Sequence, residues 1–435
     1  MSHEPELTAE ATQGPGSLLV LAALSLVVGA ASGLLGALFR LALERADFLR
    51  DAVVAWAYGW KLAGFLLVIA LGAVATAIAA WLVRRFSPQA SGSGIPHVEA
   101  VLSGGLPPAR FRLIPVKFCG GLLAMGSGLA LGREGPTVQM GASTAHLVGK
   151  LFRRDWKDSR VLLAAGAGAG LATAFNAPIA GAVFVLEELV RRFESRIAIA
   201  ALGASAGAIA VARVLLGQAP DFHVEPMPYP GFATVPIHLA LGVVAGLLGV
   251  AYNRTLLGTL AAADRLGRWP AEVRAALVGA GVGLVAWFAP GVVGGGDSIT
   301  QRMLAGGGTL ATIPLVFLLR FGLGPLSYAA ATPGGLFAPM LVLGAQIGVL
   351  FGILCSHWIP SVSPHPTELA VIGMAAFFTA VVRAPVTGII LVIEMTGGFT
   401  LFLPMLGACF GAMVIPTLLR NEPIYESLRE RARRG

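Results

Sequence analysis

Gly132-Arg133-Glu134-Gly135-Pro136 interrupts a stretch, residues 118–145, that is otherwise free of charged side chains. The run is long enough to cross a bilayer. A charge at that depth costs at least about 2.5–3.5 kcal/mol on insertion scales, so by default it marks function. Pro136 suits the first turn of a helix, where its missing N–H has no partner to lose. Gly135 lets the backbone turn tightly just before it. The spacing predicts a helix starting near Gly135, with free N-terminal amides that favour an anion.

The rest of the chain fits a membrane setting. Of 435 residues, 56% are hydrophobic and 12% charged, about half the charge of a soluble domain. A soluble fold could not cover its surface with so few charges. Lys and Arg outnumber Asp and Glu by 31 to 23, giving a net charge of +8. The basic residues fall between apolar runs and form no aromatic-interleaved cluster, which excludes a nucleic-acid partner. The N-terminus lacks a signal peptide's basic stretch and cleavage site, and the run 18–39 is long enough to span by itself.

Charge-free runs recur at 62–83, 161–186, 197–212, 235–253, 275–296, 321–367 and 395–419. The run 321–367 holds Gly-Pro, Pro-Gly-Gly and Ala-Pro breaks, so it cannot be two uninterrupted helices. Broken helices at membrane depth are tolerated where they are buried in protein or line a cavity. The pattern also repeats. Ala177-Pro178-Ile179-Ala180-Gly181 recurs 207 residues later as Ala384-Pro385-Val386-Thr387-Gly388. The segment 132–142 recurs at 335–345, and Gly33-Leu34-Leu35-Gly36 recurs at Gly246 to Gly249. The expected organisation is a cytoplasmic tail over 1–16, a first membrane repeat over 17–216, a linker over 217–234, a second repeat over 235–420 and a C-terminal segment over 421–435. The spacing alone leaves parallel and inverted repeats open; transporters of either kind place substrate between their repeats, at discontinuous helices.

Two more sites read as helix starts: Gly92-Ser93-Gly94-Ile95-Pro96, with a hydroxyl at Ser93, and Gly334-Gly335-Leu336-Phe337-Ala338-Pro339. Several helix N-termini aimed at one point would hold an anion without a fixed cation and still release it. Each feature also has a plainer reading. Ser93 would be an N-cap, the Phe337 stretch a packing kink, Glu134 an ion-pair partner of Arg133, and Tyr425 an interfacial aromatic. Glu187 and Glu188 precede Arg191 and Arg192 at helical spacing, which favours a solvated, salt-bridged helix end. Cys119, Cys355 and Cys409 read as buried small hydrophobes, and the seven His show no ligand spacing, so neither a metal nor a cofactor is expected. Gly126-Ser127-Gly128 suggests a serine hydrolase only superficially, since no His stands out in a facing span.

Taken together, the motifs GSGIP (Gly92 to Pro96), GREGP (Gly132 to Pro136) and GLFAP (Gly335 to Pro339) resemble those of the CLC family of chloride channels and proton-coupled chloride transporters. FNAPIAG at Phe175 to Gly181, the EMT at Glu394 and the Pro-Ile-Tyr ending in Tyr425 support the resemblance, which spans nearly the whole chain. It implies an all-α polytopic membrane protein built from two inverted repeats of tilted and broken helices. It further implies a homodimer in the inner (plasma) membrane, each subunit with its own pathway. In this resemblance Ser93 and Tyr425 donate hydroxyls to a central chloride, and the amides of Leu336 and Phe337 complete the site. Glu134 matches the gating glutamate and Glu188 the inner proton-transfer glutamate, with Glu187 flanking it; Glu99 and Lys117 match structural positions near the pathway. Ser at position 93 is the family's chloride choice, where nitrate-preferring members resemble this motif with Pro and fluoride exporters with Met. Without cytoplasmic CBS domains, nucleotide regulation is not expected. The expectation is exchange of chloride for protons; a passive chloride channel on the same fold is the alternative, and Glu188 speaks for exchange.

Overall fold

The computed structural model describes residues 15–360 and 364–434; most of the tail expected over 1–16 lies outside them. Regular structure among these residues is helical: seventeen α-helices, short 3-10 turns and a single π turn, with two isolated backbone bridges instead of a sheet. Six stretches are long and apolar enough to cross a membrane by length and composition. They are not equally placed. In Ala271–Phe288 only 28% of the most apolar window is buried inside the protein, against 78% in Phe337–Trp358. The first turns most of its apolar surface outward and the second is a core helix, although both read as apolar runs.

Breaks fall where Gly and Pro demand them. The run 321–367 contains the end of Thr312–Tyr328, an irregular turn, and then Phe337–Trp358. Ser195–Leu216 ends the first set of helices, and Val235–Arg265 opens the second. Cys355 and Cys409 are buried, but Cys119 is exposed, contrary to expectation. It shares the outer face of Leu113–Gly126 with Pro115, four residues before it. A face turned to lipid is as apolar as a face turned to the core, so composition could not separate them.

The repeat is visible contact by contact. Gly132 and Gly335 exchange both backbone hydrogen bonds, at 2.9 and 2.6 Å, as an antiparallel bridge. Equivalent residues of the two repeats thus meet running in opposite directions, as they do when one repeat is inverted relative to the other. Asn176 and Arg383, 207 residues apart, each end a helix in the left-handed conformation (φ 50° and 71°) before an Ala-Pro start. The Pro15–Ala57 helix meets Ser195–Leu216 where a Cβ on Gly29 or Gly33 would strike the carbonyls of Ala204 or Ala208. The second half repeats this at Gly242, against Ala408. Such close backbone approach through small residues is how helices associate in lipid.

A buried basic side chain clamps the turn before each of two short helices, one in each repeat. Lys117 donates to the carbonyls of Ala90 (3.1 Å) and Gly92 (2.7 Å) below the Ile95–Leu102 helix. Arg320, its equivalent 203 residues on, donates to Val292 (3.1 Å), Gly294 (2.6 Å) and Gly295 (2.9 Å) before Asp297–Leu304. Each charge is spent on carbonyls that the turn leaves unpaired, and the turns are thereby fixed.

Candidate anion and proton site

Three broken helices meet at the seam. Gly92 receives a carbonyl bond from Gly334 N–H at 3.1 Å and donates to Thr332 O at 3.0 Å, which ties the first motif to the third. The Gly132–Gly335 bridge ties the second to the third. Helices then start at Ile95, Glu134 and Phe337, one residue earlier for the second than expected. First-turn amides have no acceptor within their own helix.

The carboxylate of Glu134 lies fully buried at one of these starts. Its Oε1 accepts the Ala338 N–H at 2.7 Å, and its Oε2 has no hydrogen-bond partner. The carboxylate of one repeat therefore sits on the helix start of the other. Gly335 makes room for it: a Cβ there would stand 2.8 Å from Oε2 and 2.9 Å from the Gly135 nitrogen. Glu134 does not pair with Arg133. That guanidinium turns the other way, to Ala174 O (2.9 Å), Asp297 (3.0 Å) and Asp221 (3.1 Å).

Ser93 and Tyr425 are both fully buried; their hydroxyls lie close to each other, and neither makes a well-formed hydrogen bond among the described residues. An unmatched buried hydroxyl costs about 1–3 kcal/mol, so two at one place call for a ligand. Ser93 is not the N-cap. Gly94 (φ 87°) is, with no side-chain cap, and the Ser93 N–H donates to the Tyr328 hydroxyl at 3.3 Å. Tyr425 faces Ser93 and Glu134, with its ring 5.8 Å from that of Phe337. Leu336 and Phe337 are buried at the adjoining helix start. The Phe337 ring is held by Phe378 (4.7 Å), Phe184 (5.8 Å) and Phe175 (6.4 Å). Of these three aromatics only Phe175 stands in a quoted motif, as the first residue of FNAPIAG; Phe184 and Phe378 were not singled out.

Two cavities approach this centre. One of about 430 Å³ reaches Glu134 and is lined by Arg40, Glu44, Arg133, Asp221, Asp297 and Ala338, among others. The other, of about 640 Å³, reaches Glu188 and also touches Glu187, Arg191 and Arg383. The structure separates the neighbours Glu187 and Glu188. A π turn over Val185–Leu189 carries both, a form frequent at functional sites. Glu188 is buried, with Arg191 at 3.7 Å. Glu187 instead caps the Pro385–Thr396 helix, accepting from Val386 N–H (3.0 Å), Thr387 N–H (2.6 Å) and the Thr387 hydroxyl (2.7 Å). Glu394 returns the contact to Ile179 (3.1 Å) and Ala180 (2.8 Å). Among the described residues no three His, Cys, Asp or Glu side chains gather as a metal site.

The comparisons with known proteins agree with this geometry. The sequence model of the family described as voltage gated chloride channel matches residues 75–417. The H(+)/Cl(-) exchange transporter ClcA of Vibrio cholerae serotype O1 (strain M66-2) is 39% identical over 421 residues, covering 94% of this chain and 88% of that protein. Among solved structures, a slow cyanobacterial Cl-/H+ antiporter superposes with a TM-score of 0.90 at 33% identity, over 95% of this chain and 97% of that one. A eukaryotic CLC transporter shares the fold, with a TM-score of 0.81 at 23% identity over 95% of this chain and 74% of that one. Matched by the family's sequence model over most of its length and carrying the family's three motifs at a single seam, the chain belongs to the voltage gated chloride channel family, in its CLC form.

Proposed function

We propose that this protein exchanges chloride for protons across a membrane. The observation that carries the reading is the Glu134 carboxylate on the Ala338 amide, beside the buried hydroxyls of Ser93 and Tyr425. A side-chain anion occupies a place whose donors suit a free anion. Ionised, Glu134 blocks the path that chloride would take through Ser93, Leu336, Phe337 and Tyr425. Protonation removes its charge and with it the charge-assisted bond to Ala338, so the side chain leaves and chloride enters. One group thus serves as gate and proton carrier. Glu188 passes protons to it from the inner cavity, and Glu187 flanks that route. Relatives named as exchange transporters support exchange over a passive channel. A homodimer in the inner (plasma) membrane belongs to the same proposal and rests on the family.

The test is a reversal potential measured in proteoliposomes across a chloride gradient and a pH gradient together. The potential is expected to move with both. Glu134→Gln should still pass chloride while its proton movement falls to background. A wild-type potential set by chloride alone would make the protein a channel.

A further inference from the structure

Behind the inner glutamate lies a closed ring of charges that the sequence motifs do not contain. Glu188 faces Arg191 at 3.7 Å, and Arg191 faces Glu426 at 3.4 Å. Glu426 faces Arg429 at 3.5 Å, and Arg429 faces Glu99 at 3.8 Å. Glu99 closes the ring by lying against Glu188. Glu426 and Arg429 come from the C-terminal helix, Ile424–Arg434, the helix that also carries Tyr425. The charges facing Glu188 are Glu99 from the Ile95–Leu102 helix, Glu187 and Arg191 from its own segment, and Glu426 from the C-terminal helix. Arg429 joins them around Glu99. The inner cavity adds Arg192 and Arg383 at its wall.

Three features of the ring matter. It holds three carboxyls and two guanidiniums, so it is charge-balanced only when one carboxyl carries a proton. Glu99 and Glu188 are almost wholly buried, while Glu426 is about one-third exposed. The distances from Arg191 to its two glutamates are those of an ion pair held short of a strong hydrogen bond. Arg191 is therefore shared rather than captured.

We propose that Glu426 is a positioning residue for proton uptake, acting by holding Arg191 away from Glu188. With Glu426 charged, Arg191 is drawn outward, and Glu188 can take and release a proton. With Glu426 neutral, Arg191 closes on Glu188 and holds it in the charged form, so uptake needs a more acidic solution. The inference rests on the exchange reading above.

The experiment is the exchange rate of the full chain in liposomes at symmetric pH from 5 to 8, for wild type, Glu426→Gln and Glu426→Asp. Glu426→Gln should move the pH of half-maximal exchange to the acid side by about 0.5 to 1 unit, the effect of one partly screened neighbouring charge. Glu426→Asp should restore most of the wild-type profile. In a Glu188→Gln background, Glu426→Gln should leave the remaining chloride flux unchanged. An unshifted profile overturns the proposal, as does an equal loss of chloride flux in both backgrounds, which would mark a role in packing alone. If wild type moves no protons, the exchange reading fails first and separately.

Discussion

The two cavities, at Glu134 and at Glu188, use the same parts, a buried glutamate with an arginine nearby, and tie them in opposite ways. At the outer cavity Arg133 is fixed by three bonds of 2.9 to 3.1 Å, and Asp221 also accepts from Arg40 at 2.5 Å. At the inner cavity Arg191 and Arg429 reach their glutamates only at 3.4 to 3.8 Å. Arg133 is 14% exposed and Arg191 is 41% exposed. A guanidinium locked by hydrogen bonds cannot follow the charge of Glu134, so on the proposed reading the gate would answer mainly to protonation of its own carboxylate. A guanidinium held by Coulomb attraction in partial solvent can shift, and the inner end can be tuned by its neighbours.

The contrast is open to direct attack. The largest effect is expected from Glu188→Gln, which should abolish proton movement while chloride still passes, since the outer gate is untouched. Simultaneous chloride and proton flux recordings decide it, and proton movement surviving this change would show that the inner ring is not on the route. Next is Asp221→Asn, which takes one shared carboxylate from two largely buried guanidiniums, leaving Arg133 on Asp297 and Ala174 O and Arg40 on Glu44. It should destabilise the protein by about 1.5–3 kcal/mol, the range for a hydrogen bond to a charged group, read as a lower unfolding midpoint in detergent. The smallest effect is the stability change in Glu426→Gln, where half-exposed pairs should cost less than about 1 kcal/mol. Equal losses in the last two variants would erase the distinction between a locked and an adjustable end.

Much of the site was legible because helix starts leave local marks: a Gly for the turn, a Pro for the first position, a polar residue where none should be. Those marks located Ser93, Glu134 and Phe337 within a residue or two. The near-constant spacing of 203 to 213 residues likewise marked equivalent positions, and the matched Ala-Pro starts at Ala177 and Ala384 both follow a left-handed helix end, at Asn176 and Arg383. Asp221 was not legible. It sits in the Pro-rich segment between the halves and meets partners 181 and 88 residues away, a relation with no local period. Spacing alone could not tell Glu187 from Glu188, since it put both beside arginines; the resemblance gave them different roles, and in the structure the π turn and the cap at Val386 and Thr387 separate them.

The reciprocal caps carry a consequence for ancestry. Glu187 grips the helix start at Val386 and Thr387, while Glu394 grips the one at Ile179 and Ala180. Gly132 likewise meets Gly335, its own counterpart. A chain of half this length would already hold both partners of every one of these contacts, provided two copies inserted in opposite orientations. Dual-topology insertion of that kind asks for loops with little charge bias between the two sides. Fusion of the copies would then have freed one side to keep a carboxylate at position 134 while its counterpart became the phenylalanine at 337.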